Sequence, residues 1–292
     1  MNGFLCVRKP SGVTSSAVVL RLRKRLPKGT KIGHAGTLDP DAAGVLPVMI
    51  GKATRLFDLI TDKEKVYEAQ WVPGIETDTQ DLSGQILREE KVQIGREELE
   101  AVIPRFIGEI DQVPPLYSAL KRNGKRLYEL AREGCQVEVA ARKIHVDGIE
   151  VLGRAEGGSW MLRIRCGRGT YIRTLCKDIG GALGIPACMG TLVRTASGPF
   201  TIESALSPEE LESLSDWEPV LLPMDYPLAH LPRITISEQA EKQVRCGNRI
   251  PEERIEGPYK PEVCSRLYLG DRFCGIGALS DGEIHFDAML LE

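Results

Sequence analysis

A segment rich in glycine and proline, residues 34–48 (HAGTLDPDAAGVLPV), constrains the fold of this 292-residue chain more than any other feature. Gly36 and Gly44 permit backbone conformations that other residues avoid, while Pro40 and Pro47 fix their own φ angles. A segment of this kind holds one loop shape and lets a bulky partner approach its backbone closely. We therefore expect a well-defined loop at the start of this segment.

Asp39 lies inside this loop and fits two interpretations. Aspartate before proline is a common helix N-cap, with the proline at the first helical position, and the residues alone favour this interpretation. The flanking sequence is richer in glycine than a cap requires, however, and His34 lies five residues upstream. A carboxylate that carries out chemistry therefore remains the alternative.

Basic residues cluster although the net charge of the chain is −3. Residues 8–31 contain eight Lys and Arg and no Asp or Glu, and further basic groups lie at residues 121–126 and 163–173. A charged run is usually a solvated face, but three basic groups together also fit a nucleic-acid surface. The sequence therefore leaves both interpretations open.

The rest of the composition argues against metal, disulfide and membrane proteins. The eight cysteines are scattered without a C-x-x-C pair, and none lies near one of the four histidines with ligand spacing. The N-terminus lacks an apolar signal region, and no apolar run reaches the roughly 18 residues that a membrane span needs. We expect a cytoplasmic protein with reduced thiols, no metal, no cofactor and no membrane partner.

The hydrophobic periodicity predicts an α+β fold. Strands are predicted at residues 4–7, 45–50, 65–71, 143–152, 160–166, 191–194 and 200–202. Helices are predicted at residues 16–26 (capped by Thr14 or Ser15), 53–61, 95–106, 125–133, 171–183 and 208–214.

A proline-rich change of composition at residues 223–232 predicts a second, smaller unit. The predicted domains are residues 1–230 and 233–292. In the second, a helix over 237–245 and strands over 267–269, 272–279 and 283–290 predict a small β-barrel-like structure.

Aromatic and basic residues alternate in two segments. If residues 167–180 begin as an extended chain, Tyr171 and Arg173 point to one side, where the ring stacks on a base and the guanidinium holds a carboxylate or phosphate. If a helix begins there, the tyrosine packs in the core and the arginine lies on the surface. Tyr67 beside Lys65 is likewise either a stacking platform or a half-buried strand residue.

Together these segments resemble the TruB family of tRNA pseudouridine synthases, over nearly the whole chain. The similar motifs, in family order, are KPSGVTSS (9–16), GHAGTLDPDAAGVLPV (33–48), KVYEA (65–69), GIETDTQDLSG (74–84), YSALKRNGKRLYELAREG (117–134), GRGTYIRTLCKDIG (167–180) and GTLVRTASGPF (190–200). The last 60 residues resemble the family's PUA-type domain. Arg8, where an acid is common, and Ala43, where threonine is usual, depart from the pattern.

The resemblance implies a pseudouridine synthase fold: a central mixed, largely antiparallel sheet flanked by helices, plus a small C-terminal β-barrel-like PUA-type domain. It also implies an RNA-contacting arm at about residues 115–143. The implied activity converts uridine 55 in the T loop of tRNA to pseudouridine by base flipping, glycosidic cleavage and re-attachment through C5. The implied partner is the T arm of tRNA, bound by a monomer, and no metal or cofactor is needed.

The resemblance also assigns residues to roles. Asp39 becomes the essential nucleophile, acting at the sugar or the base, and Arg173 keeps it ionised. Tyr67 stacks on the flipped uracil and helps the C5 proton to leave. The substrate-binding residues are Tyr171 and Leu192 (pocket walls), His34 (the RNA at the position that the base has left) and Lys9 (phosphates).

Two other functions remain open at this point. The chain could bind and fold tRNA without chemistry, which loss of the aspartate would favour, but Asp39 is present. It could also be a sister synthase acting on another RNA.

The C-terminal region carries eight Lys and Arg against eleven Asp and Glu from Arg233 onward, so its charge does not favour RNA binding.

Overall fold

The computed structural model describes residues 1–61, 63–118, 120–122, 124–127 and 139–291. A nine-stranded sheet and a six-stranded sheet organise these residues, with two short hairpins beside them. No helix in these ranges is long and apolar enough to cross a membrane.

Among the residues that the structure describes, thirteen strands precede the proline-rich segment. They are β1 (Gly3–Lys9), β2 (Ile32–His34), β3 (Ala43–Ile50), β4 (Lys65–Pro73), β5 (Ile75–Thr77), β6 (Ile86–Glu89), β7 (Gly108–Gln112), β8 (Lys121–Arg122), β9 (Lys125–Arg126), β10 (Arg142–Arg154), β11 (Trp160–Cys166), β12 (Ala187–Ser197) and β13 (Phe200–Thr201). The large sheet has the order β1-β3-β12-β4-β11-β10-β7, with β2 on β3 and β13 on β12. Every pairing is antiparallel except that of β3 with β12, so the predicted mixed, largely antiparallel sheet is confirmed.

In the described part of this region, five helices flank the sheet: α1 (Ser15–Arg23), α2 (Phe57–Thr61), α3 (Arg96–Val102), α4 (Ile172–Ala182) and α5 (Pro208–Ser213). The Thr14 hydroxyl accepts a hydrogen bond from the Ala17 amide at 3.0 Å, which confirms the predicted cap of α1. The helix predicted over 125–133 is wrong at its start, because Lys125–Arg126 forms a strand. Most of its remainder lies outside the described residues.

Apolar side chains of the large sheet are covered by helices. In one cluster, α4 packs on β4, β11 and β12, and the buried Trp71 indole donates a hydrogen bond to the Cys176 carbonyl at 2.9 Å. In another cluster, Leu22 of α1 and Leu211 of α5 pack with residues of β1 and β3. Alternate residues of β4 and β11 are buried, so a one-residue slip would turn their apolar side chains outward, and this fixes the strand register.

The six-stranded sheet contains β14 (Arg233–Ile236), β15 (Ile250–Pro251), β16 (Ile255–Glu256), β17 (Ser265–Leu269), β18 (Arg272–Ser280) and β19 (Glu283–Met289). Its order is β15-β19-β18-β17-β14-β16, and β14 with β17 is its parallel pair. The three strands predicted here are confirmed. The predicted helix is shorter, since a 3₁₀ turn precedes α6 (Glu241–Arg245).

The proline-rich segment is packed rather than extended between the sheets. Leu228 is buried in one apolar cluster with Phe4 and Phe200 from the first region and Ile276 and Leu290 from the second. Apolar burial across this junction opposes independent movement of the two sheets. The domain limits drawn from the sequence, residues 1–230 and 233–292, stay a prediction.

Candidate active site

Asp39 lies in the loop between β2 and β3, and no helix begins at it, so the helix-cap interpretation is wrong. Its carbonyl accepts a hydrogen bond from the Ala42 amide at 3.1 Å, which closes a turn. The buried Ser15 hydroxyl accepts a hydrogen bond from the amide of the adjacent Leu38 at 2.9 Å and donates one to the Leu38 carbonyl at 3.1 Å. The first residue of α1 therefore fixes the position of the loop beside Asp39.

Lys9 is wholly buried at the end of β1. Its ammonium group donates to the carbonyls of Pro10, Val13 and Pro40 at 3.0, 2.6 and 2.9 Å. Burial lowers the pKa of Lys9 to about 8, against the opposing effect of nearby carboxylates. The expectation that Lys9 binds phosphate is wrong in this structure, because the ammonium group ties two loops together inside the protein.

Gly44 is the second fixed point of the loop. It has a φ of +108°, and a Cβ there would lie 2.2 Å from the carbonyl oxygen of Arg194 on the parallel strand β12. Only glycine fits this approach. Ala43, a departure from the family pattern, pairs with Val193 in the same ladder, and Arg8, the other departure, pairs with Glu210 of α5 at 3.2 Å.

Arg173 forms an ion pair with Asp39. The guanidinium lies 3.0 Å from the Asp39 carboxylate and 3.5 Å from that of Asp81, and its side chain is 7% exposed. It also donates to the carbonyls of Thr79 at 3.1 Å and Tyr117 at 2.9 Å. Arg173 lies in the first turn of α4, so the helical interpretation was right about the helix and wrong in placing the arginine on the surface.

Asp81 is a site residue that the sequence did not single out, although its motif was recognised. The carboxylate accepts hydrogen bonds from the hydroxyls of Thr79 and Ser83 at 2.7 and 2.6 Å and from the Ser83 amide at 3.1 Å. These donors hold Asp81 in place, so that Arg173 lies between two fixed carboxylates. The one available signal was an acid among turn-forming residues in the segment 74–84.

An open pocket of about 360 Å³ lies in front of this ion pair. The structure brings five of the predicted site residues together in its lining, and these are Asp39, Tyr67, Tyr171, Arg173 and Leu192. The Asp39 side chain is 47% exposed and faces this space, whereas the cation behind it is buried. The pocket is large enough for a flat heterocyclic base with the sugar attached.

Tyr67 lies beside a second buried arginine. Tyr67 on β4 is opposite Arg194 on β12, and the Arg194 side chain hydrogen-bonds to the phenol. Arg194 is 1% exposed and donates to the carbonyls of Val45 at 2.7 Å and Gly36 at 3.0 Å. Among the described residues it forms no ion pair with a carboxylate. Arg194 was not singled out from the sequence, because nothing distinguishes it from a surface arginine there.

Burial dominates the acid–base properties of the site. It raises the pKa of the Asp39 carboxyl above its ordinary value, although Arg173 opposes the rise. It also raises the pKa of the Tyr67 phenol, against the lowering effect of Arg194. Arg173 therefore acts on the Asp39 pKa in the expected direction, but it limits the increase that burial causes and does not cancel it.

Tyr171 is positioned through its backbone. The buried Gln112 side chain on β7 accepts a hydrogen bond from the Tyr171 amide at 2.8 Å and donates one to the Tyr171 carbonyl at 3.1 Å. This double contact fixes the residue that precedes α4 and so directs the phenol ring of Tyr171. Gln112 lies in β7, a strand that the periodicity did not predict.

His34 lies outside the pocket. It lines a neighbouring shallow depression, and Phe57 borders both hollows. The His34 Nδ1 atom is buried without a hydrogen-bond partner among the described residues, and burial and Arg194 lower the pKa of its imidazole. The ring is therefore neutral near physiological pH.

No group of three His, Cys, Asp or Glu side chains with the spacing of metal ligands lies among the residues that the structure describes. Of the third basic group, Arg163 is paired with Glu68 and Glu150 on the sheet surface, and Arg168 lies at the edge of the pocket.

Sequence comparisons identify a single family. The model of the TruB family pseudouridylate synthase N-terminal domain matches residues 23–172, and that of the tRNA pseudouridylate synthase B C-terminal domain matches residues 173–229. The chain is 45% identical to tRNA pseudouridine synthase B of Alkaliphilus oremlandii, covering 97% of this chain and 95% of the relative. It is 41% identical to that of Clostridium perfringens (strain SM101), with both chains fully covered.

Solved structures agree with the fold. A chain from an H/ACA ribonucleoprotein bound to a substrate RNA containing 2′-deoxyuridine matches with a TM-score of 0.74 and 25% identity, covering 99% of this chain and 85% of that one. A chain of a Cbf5–Nop10–Gar1 complex matches with a TM-score of 0.72 and 29% identity, covering 99% and 84%. These matches confirm the predicted fold class, including its barrel-like C-terminal part.

Proposed function

Since this chain belongs to the TruB family of pseudouridylate synthases, we propose that it isomerises uridine 55 in the T loop of tRNA to pseudouridine. In this reaction the bond between ribose C1′ and uracil N1 breaks, the base rotates, and C1′ joins C5. The C5 proton leaves and N1 gains a proton, so the nucleotide keeps its formula. The chemistry consumes no other reactant.

The observation that carries this proposal is the Asp39–Arg173 pair at the pocket. The carboxylate is open in front and held by a buried guanidinium 3.0 Å behind it. A nucleophile must be ionised and accessible at once, and this arrangement supplies both conditions. Asp39 then attacks the flipped nucleotide, either at the sugar or at the base.

The pocket walls supply the remaining functions. A base inside an RNA loop must leave its stack before it can react, at a cost of a few kcal/mol. Tyr67, Tyr171 and Leu192 offer aromatic and apolar surface that offsets part of this cost. To accept the proton from C5, the Tyr67 phenol must first be ionised, and the Arg194 guanidinium beside it stabilises that phenolate; proton transfer then leaves the phenol neutral.

Two residues prepare the site without touching the substrate. Asp81 orients Arg173 from the side opposite Asp39, and Lys9 joins Pro40 to the loop after β1. His34 contacts the RNA beside the pocket. The acting form is a cytoplasmic monomer bound to the T arm.

Mapping of pseudouridine in an unmodified tRNA transcript tests the proposal. After incubation with the protein, carbodiimide treatment and primer extension give one new stop, one nucleotide to the 3′ side of position 55. A transcript carrying cytidine at that position is the matched control and gives no stop. A stop at another uridine would instead indicate a synthase with a different target, and no stop at all would indicate a binding protein without chemistry.

A further inference from the structure

The basic residues around α1 fall into two sets by their partners. Arg21 donates two hydrogen bonds of 2.6 Å to the carboxylate of Glu212 on α5. Arg25 donates to the Leu214 carbonyl at 2.6 Å and to the Glu212 carbonyl. These two guanidinium groups hold α1 and the residues just after it against the C-terminal end of α5. They are therefore used inside the protein and are not available to a polyanion.

Arg23 and Lys31 differ from this first set. Both are exposed, and neither side chain forms a hydrogen bond or an ion pair with the residues that the structure describes. They border two adjoining shallow depressions, the second of which also contains His34 and Phe57. Lys28 borders the first. We call these five residues the basic track.

The basic track begins at the active site. Phe57 is 41% exposed and borders both the catalytic pocket and the depression that contains His34. From Asp39 outward, the surface therefore presents an aromatic ring, a neutral imidazole and then the cations of Lys31 and Arg23. This order matches a nucleic-acid strand, whose bases stack on rings while its phosphates lie against cations.

We propose that the basic track binds the RNA strand that leads away from the flipped uridine, with Arg23 and Lys31 each holding one backbone phosphate. This rests on the proposed function, because it takes the nucleotide in the pocket as its starting point. The set of eight basic residues in the sequence is thereby reduced to the few that face the RNA.

The test compares two variants of the full-length protein by tRNA binding over a series of salt concentrations. Arg23→Ala/Lys31→Ala removes two phosphate contacts, so its dissociation constant for tRNA rises about 10-fold or more at low salt. The slope of log Kd against log salt falls by about 1.4, or roughly 0.7 for each contact with a single strand. Arg25→Ala removes a cation from the same segment but not from the track, and its slope stays that of the unaltered protein.

An unchanged slope in the double variant, or an equal fall in Arg25→Ala, would overturn the basic track. Pseudouridine formation by the unaltered protein is measured on the same transcript. If that protein forms no pseudouridine while the double variant still loses slope, the proposed reaction fails and the track stands. Thermal unfolding of each variant shows whether the exposed substitutions leave the fold unchanged.

Discussion

Two buried arginines adjoin the candidate active-site pocket, and their surroundings differ. Arg173, on α4, lies between the carboxylates of Asp39 and Asp81. Arg194, on β12, has no carboxylate partner among the described residues and donates to carbonyls and a phenol. A buried guanidinium between acids sets the charge of its partner, whereas one among carbonyls fixes the backbone that supplies them.

This difference predicts that one arginine affects mainly the reaction and the other mainly the stability of the fold. Arg173 is expected to matter most for the rate of the reaction, because the carboxylate that it holds is the proposed nucleophile. Arg194 is expected to matter most for stability, because it joins the loop at Gly36 to β3 at Val45. The following predictions test that separation, from the largest expected effect to the smallest.

Arg173→Met should lower the single-turnover rate of pseudouridine formation by about 10³-fold, or about 4 kcal/mol of activation free energy, because Asp39 then lacks the cation that opposes the increase in its pKa. Arg163→Met is the matched control, since Arg163 also contacts two carboxylates, Glu68 and Glu150, but on an exposed strand face. Its rate should stay within about 3-fold, as exposed pairs contribute little. Equal losses in both variants would remove the distinction between the pocket and the surface.

Gly44→Ala should cost about 3 kcal/mol of the free energy of unfolding, measured in urea, through a strained φ and a clash with the Arg194 carbonyl. Gly29→Ala is the control: its φ is +92°, but a Cβ there has no neighbour within 4 Å. We expect a loss of about 1 kcal/mol for this control. If both variants lose the same amount, close approach of the strand is not what requires glycine at position 44.

Arg194→Lys should lower the free energy of unfolding by about 2 kcal/mol, since one ammonium group cannot replace a fork that bonds to two carbonyls and a phenol. Arg173→Lys should destabilise the protein less than this while losing more activity. Urea unfolding and single-turnover rates, measured on both variants, give the loss of stability and the loss of activity for each arginine. The opposite ranking would mean that Arg194 is the catalytic arginine.

The smallest expected effect concerns Asp39 and pH. The pKa of the Asp39 carboxyl is higher in the folded protein than its unfolded value of 3.8. Stability is therefore lost as the pH rises from the unfolded pKa to the folded pKa, and the full loss is present at every higher pH. Asp39→Asn should therefore stabilise the protein at pH 7, by less than about 1 kcal/mol for a half-exposed group, and should lose this effect well below pH 4. Thermal unfolding at both pH values checks the sign, and destabilisation at pH 7 would contradict it.

The sequence predicted the parts of the site that lie within one motif and missed those that join distant segments. Asp39, Tyr67 and Arg173 came from the family resemblance, and the structure places them together. Asp81 and Arg194 were missed because their meaning depends on contacts across about a hundred residues of chain, such as Arg173 with the Thr79 carbonyl. No local pattern marks an arginine that becomes buried in this way.

Lys9 and Tyr171 illustrate the same limit. The sequence of a basic run does not show whether a given lysine in it is exposed or buried. Only the fold places the Lys9 ammonium group among three carbonyls. Tyr171 and Arg173 could be assigned to one side of a strand by their spacing, but the helix that begins after Tyr171 gave a different arrangement. Strand periodicity worked best where one face is buried and the other is more exposed, as in β4 and β11.

The central claim is that the Asp39 carboxylate carries out the chemistry while the rest of the pocket binds the RNA. Its most direct test measures single-turnover pseudouridine formation and the tRNA dissociation constant on one preparation of Asp39→Asn. The account predicts no detectable product, a loss of at least about 10⁴-fold, with the dissociation constant within about 3-fold of the unaltered protein. Product formation at a rate within 10-fold of the unaltered protein would contradict it.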